Sequence, residues 1–159
     1  MTVPVRQQQP NLILVCADTA RNGELSGRAY ALCRRDPVSF WDTWGLLHWC
    51  ERYFDRLNYP QQALVRRHLL PVGRQDSGGT LHREIRSAEQ LCSCTPGKAL
   101  TFWLAVDTRR MATWQGRLLL AERELHFASE LELYRCLKTL SAETGQPHWE
   151  DVPSGRKSK

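Results

Sequence analysis

Two ten-residue stretches, DTARNGELSG at 18–27 and DTRRMATWQG at 107–116, are versions of one another. Sliding the chain against itself by 89 positions superimposes Asp18 on Asp107, Thr19 on Thr108, Arg21 on Arg110, Gly27 on Gly116 and Arg28 on Arg117. Apolar character matches as well: Ile13 falls on Phe102, Val15 on Leu104 and Leu25 on Trp114. Past a two-residue slip the offset becomes 87, which sets Phe40 on Phe127, Trp44 on Leu131, Leu46 on Leu133 and Leu47 on Tyr134. The slip lies in a turn, where insertions cost little. An internal repeat of this length limits the chain to architectures made of two similar units.

Each copy reads alike. A β-rich run (12–19; 100–108) leads through a turn into a second strand (24–33; 113–121), then a brief extended piece ending at Phe40 or Phe127. In the first copy Asn22-Gly23 is a strong hairpin signal, because both residues accept positive φ. The equivalent Met111-Ala112 is poor turn chemistry and argues against an identical hairpin there. A helix closes each copy, near 42–57 and 130–143. The first carries Phe40, Trp44, Leu47, Phe54 and Leu57 as its apolar stripe, with Asp42 or Ser39 as cap. The second opens on the capping box SELE (129–132) and carries Leu133, Leu137 and Leu140, with Tyr134 beside them.

One β-β-α unit of this size buries too little surface to stand alone, whereas two can share a core. The expected fold is α+β: internally duplicated β-β-(β)-α units sharing one mostly antiparallel sheet, with helices packed on one face. The expected layout is a loose tail at 1–11, a first repeat at 12–57, a connector at 58–99, a second repeat at 100–143 and a disordered tail at 144–159. Within the connector, LHREIRSAEQLCS can make a short third helix with Leu81, Ile85 and Leu91 inward. Gly27 and Gly116 lie inside second strands, where glycine marks a bulge or a close approach. The simplest reading is a small residue fitting under a helix.

No apolar run reaches the roughly 20 residues of a membrane span, and MTVPVRQQQP has no apolar secretory core. Six cysteines in 159 residues is below disulfide-scaffold density, and they read as reduced thiols. A cytoplasmic monomer is expected. The net charge of +5 is concentrated in the connector, where residues 58–99 hold six basic side chains against three acidic.

The search for chemistry is sparse. Cys92 and Cys94 form a lone C-x-C without the second ligand pair of structural zinc. His48 and Cys50 are two apart on a helix and point to different faces. There is no nucleophile elbow, and TPGKAL (95–100) lacks the early glycine and the Ser/Thr of a phosphate loop. Asp18 and Asp107 could meet in a two-fold fold, but at strand ends aspartate ordinarily makes local turn bonds. No catalytic residue, metal or cofactor is assigned.

The run TWQGRLLL…LHFASELELYRCL (113–137) resembles small uncharacterised bacterial proteins with a TWQG strand, a Phe-x-Ser-x-x-Glu-Leu helix start and a leucine-rich closing helix. Trp114, Gln115, Gly116, Phe127, Ser129, Glu132 and Leu133 carry the likeness, over about a quarter of the chain. The first copy departs from it, with Leu25, Ser26 and Asp42 at the places of Trp114, Gln115 and Ser129. The resemblance implies the fold unit and a bacterial origin, and no activity.

The function expected is that of a non-enzymatic accessory or regulatory protein that binds another protein. Arg21, Arg109 and Arg110 at the hairpin tips, with Trp41 and Trp49 off the main helical stripe, are the contact candidates. The alternative is a nucleic-acid-binding regulator using Arg66, Arg67, Arg74, Arg83 and Arg86 of the connector, whose binding would weaken steeply with salt.

Overall fold

The computed structural model describes residues 9–63 and 86–144. Most of both expected tails and most of the connector lie outside them; of the first tail, Asn11 is buried and bonded to Val106. In chain order the elements are β1 (Leu12–Arg21), β2 (Glu24–Ala31), β3 (Val38–Phe40), α1 (Thr43–Leu57), β4 (Gln62–Ala63), α2 (Ala88–Cys92), β5 (Leu100–Arg110), β6 (Thr113–Leu119), β7 (Glu124–Phe127) and α3 (Glu130–Thr144). Six strands form one antiparallel sheet in the order β3-β2-β1-β5-β6-β7, and the short β4 joins β5 in parallel. The class is α+β.

Alternation along the central strands sorts their side chains onto two faces. Ile13, Val15, Phe102 and Leu104 enter the main core with Leu46, Leu47, Phe54, Leu133, Leu137 and Leu140 of α1 and α3. Leu12, Leu14, Cys16 and Trp103 face the other way, where Ala88 and Leu91 of α2 cover them. The two long helices therefore share one face as expected, and the short α2 packs on the other. Leu81 and Ile85, expected beside Leu91, lie outside the described residues.

The two flanks of the sheet repeat the same devices. A bulge between Ala17 and Thr19 in β1 is matched by one between Val106 and Thr108 in β5. Arg28 grips Asp18 and Arg117 grips Asp107, each through Nε and Nη2 at 3.0–3.3 Å. Gly27 lies opposite Phe40 and Gly116 opposite Phe127. These glycines do not make room for a helix, as the simplest sequence reading has it. A Cβ on Gly27 would stand 2.8 Å from Ala17 Cα, and one on Gly116 would stand 3.0 Å from Val106 Cα and 2.8 Å from Phe127 Cζ. It is the bulged backbone of the neighbouring strand that excludes a side chain.

The second hairpin also differs from its sequence reading. Arg110 pairs directly with Thr113, so β5 and β6 are joined by the two residues Met111 and Ala112. Their φ values are +55° and +56°, against +53° and +77° at Asn22 and Gly23. The register of two long strands imposes the turn, and poor turn residues are forced into it. Left-handed backbone costs a non-glycine residue roughly 1–2 kcal/mol. Met111→Asn with Ala112→Gly is therefore expected to stabilise the protein by about 1 kcal/mol, raising Tm by about 2–4 °C. Met111 is 92% exposed, so no packing is lost; an unchanged or lower Tm would refute the strain. Gly116→Ala should destabilise by about 1–3 kcal/mol through overpacking, and denaturant titration showing no loss would overturn the close-approach account.

Candidate functional site: the head of α1

Asp42 starts α1 in extended geometry, and its carboxylate accepts the Gly45 N–H at 2.6 Å. Thr43 is turned fully inward. Its Oγ1 accepts the Leu25 N–H at 3.0 Å, and its own N–H donates to Glu24 Oε2 at 3.1 Å. The other carboxylate oxygen of Glu24 accepts the Tyr134 hydroxyl at 2.9 Å, and Ser141 Oγ donates to the Glu24 carbonyl at 3.1 Å. One residue at the start of β2 thus ties both long helices to the sheet. Burial pushes the Glu24 carboxyl up, but the donors from Tyr134 and Thr43 outweigh it and hold the group below its ordinary value.

With Thr43 inward, the buried stripe of α1 is Thr43, Leu46, Leu47, Cys50, Tyr53, Phe54 and Leu57. At 100° per residue, Trp44 stands about 120° from the middle of that stripe. It is 68% exposed, and Trp41, just before the helix, is 87% exposed. Trp44 is therefore not the core residue that its spacing from Phe40 and Leu47 predicts; the polar Thr43 holds that place because both of its hydrogen-bonding groups are satisfied there. Trp114, expected in the core, is buried and meets Phe54 edge-on at 5.4 Å.

The five predicted contact residues do not share one surface. Arg21 is exposed at the end of β1, opposite Glu24, and so lies at the same end of the sheet as the head of α1. Trp49 is half-buried in mid-helix, stacked on Tyr53 at 5.4 Å. Arg109 is only 3% exposed and its Nη2 is ion-paired with Asp55. Arg110 is exposed. Because β1 and β5 run antiparallel with Leu12 opposite Ala105, Arg21 and Arg110 lie at opposite ends of the sheet, on the order of 40 Å apart at strand rise. The same geometry keeps Asp18 and Asp107 apart, each held by its own arginine. In the alternative set, Arg86 is half-buried and its N–H donates to the Leu32 carbonyl at 3.0 Å. Arg66, Arg67, Arg74 and Arg83 lie outside the described residues.

Among the described residues no disulfide joins the cysteines. Burial raises the Cys16 and Cys50 thiols above their ordinary value. Among the described residues no group of three His, Cys, Asp or Glu side chains could hold a metal ion, and no helix is long and apolar enough to cross a membrane.

Glu24→Gln is expected to cost roughly 1–2 kcal/mol at neutral pH, as for a charge-assisted hydrogen bond. The folded pKa is depressed, so this stability is fully present above the ordinary value of 4.5 and is lost as pH falls through the lower folded value. Denaturation midpoints across pH should show wild type and variant separated near neutrality and converging in acid. A gap that persists unchanged in acid would show that the carboxylate is not the source.

No family model, curated protein or solved structure matches this chain.

Proposed function

We propose that this chain is a non-enzymatic, cytoplasmic bacterial accessory protein that acts by binding another protein through the head of α1. The observation that carries this reading is the pair Trp41 and Trp44, 87% and 68% exposed, three residues apart at one helix start. Each tryptophan offers some 150–250 Å² of surface, and exposed aromatics of this size are the commonest anchors of protein interfaces. Asp42, Thr43 and Glu24 fix the backbone beneath them, so little order remains to be imposed on binding. The partner suited to this head has an apolar groove that takes two rings, one from just before the helix and one from its first turn. A binding role is further supported by how the fold uses its carboxylates. Asp18 and Asp107 are committed to Arg28 and Arg117, and Glu24 to Thr43 and Tyr134. Six cysteines with no disulfide among the described residues suit a reducing compartment.

Trp41→Ala with Trp44→Ala tests the reading. Stability should change by no more than about 0.5 kcal/mol, since neither ring is packed. Affinity for the partner captured from the source lysate should fall by about 30-fold or more, the loss expected of one interface anchor. Capture is run with and without nuclease. A partner retained equally well by the double variant would sink the assignment. Nucleic acid recovered only without nuclease, and indifferent to the two substitutions, would replace it with the basic-connector reading.

A further inference from the structure

The solvent side of α1 changes character along its length. Trp44, His48, Arg52 and Arg56 follow one another at intervals of four residues, and all are exposed. Residues at that interval are neighbours on a helix surface. They form one ridge, which rises about 18 Å from Trp44 to Arg56. The ridge is aromatic where the helix starts and cationic where it ends.

The cationic end extends beyond the helix. The Cys33 N–H donates to the Tyr53 hydroxyl at 3.4 Å, which holds the β2–β3 turn against α1. Arg34 and Arg35, the next residues of that turn, are exposed. Arg52 immediately precedes Tyr53, so guanidinium groups from both segments gather around one contact. Arg35 and Arg52 have no ion-pair partner among the described residues. The carboxylates on these two segments offset the cations only in part. Asp55 is ion-paired with the buried Arg109. Glu51 lies on the shoulder toward α3, where its charge reaches Glu130. Asp36 remains, in the turn itself, its carbonyl accepting Arg34 Nε at 3.1 Å. Arg52 and Arg56, four residues apart, repel one another, and an incoming acidic group relieves that repulsion.

We infer that the partner docking on the start of α1 presents an acidic peptide segment. The segment is apolar at one end and carries aspartate or glutamate about 12 Å further along, where Arg34, Arg35, Arg52 and Arg56 receive it. This rests on the reading of Trp41 and Trp44 as a protein-binding head, and states the chemistry of what they bind. The rings supply the anchor, and the arginines supply orientation and a faster encounter. A single nucleic-acid strand fits less well. It carries a phosphate with every base, so it needs cations interleaved with its stacking platforms. Here rings and cations are segregated along the helix. Asp42 also places an exposed carboxylate between the two tryptophans, where a phosphate would be repelled.

The test is selection of phage-displayed random peptides about 16 residues long, enough to span the ridge as a helix, on the immobilised full chain. Selected peptides are then measured in solution by fluorescence anisotropy. They are expected to combine large apolar residues with several acidic residues toward one end. Trp41→Ala with Trp44→Ala should abolish their binding. Arg34→Gln, Arg35→Gln and Arg52→Gln together should weaken it about tenfold at low salt and remove most of its salt dependence. Should that triple variant fail to fold, replacing the acidic residues of the peptide by their amides should produce the same loss on the wild-type chain. Peptides that need the tryptophans but tolerate both the arginine and the amide replacements overturn the acidic segment and leave the tryptophan head standing. Peptides indifferent to the tryptophans, or no enrichment over the tryptophan double variant, overturn the head as well. Tighter binding of a fluorescein-labelled oligothymidine than of the selected peptides, lost with the arginines, would replace the peptide with a nucleic acid.

Discussion

The antiparallel pairing of β1 with β5, from Leu12 opposite Ala105 to Ala17 opposite Leu100, is the interaction on which the rest of the structure depends. Each three-stranded flank has one amphipathic helix and too little apolar surface to close a core of its own. The central pairing merges the two flanks into one sheet. Only then do Leu46, Leu47 and Phe54 from one helix meet Leu133, Leu137 and Leu140 from the other over a common floor of Ile13, Val15, Phe102 and Leu104. It also buries both faces of the central strands, so their side chains read as continuous apolar runs rather than an alternation. The second face requires its own cover, and α2 supplies it at Ala88 and Leu91.

The same pairing explains why equivalent positions in the two flanks have diverged. An antiparallel pair sends its overhangs to opposite ends, so the two hairpins face different surroundings. Gly23 lies beneath Lys138 of α3, whereas Arg109 lies beneath Asp55 of α1. Among the described residues, Ala99 and Lys98 close one end by donating to Ala17 and Asp18, while at the other end Arg109 and Arg110 pair with the short β4.

Most of the architecture was legible in the sequence. Helix limits, both hairpins' positions, the mostly antiparallel sheet and the inward leucines of α3 follow from periodicity and capping. What was not legible shares a physical cause: a local preference overridden by a contact distant in sequence. Thr43 displaces Trp44 from the core because Leu25 and Glu24, far back along the chain, satisfy both of its hydrogen-bonding groups. Met111 and Ala112 accept a left-handed turn because β5 and β6 hold their register. Arg109 is buried because Asp55 meets it from α1, and nothing in the run DTRRM separates it from its exposed neighbour Arg110. A buried threonine inside a helical stripe is the one signal that could have exposed the tryptophan pair in advance.

The central pairing also shapes how the chain must fold. Each hairpin closes over two residues and can form from local contacts, whereas α3 packs on β1 and β2 as well as on β6 and β7 and seats fully only when the two flanks meet. The β1–β5 ladder is different, because it joins residues some ninety positions apart and can form only after a long loop has closed. Closure entropy of that kind slows a folding reaction more than it weakens the folded state. Two loosely ordered halves awaiting their seam are therefore the natural transient of this molecule, and the seam is also where a nascent chain whose second half is not yet synthesised exposes the unpaired edge of β1.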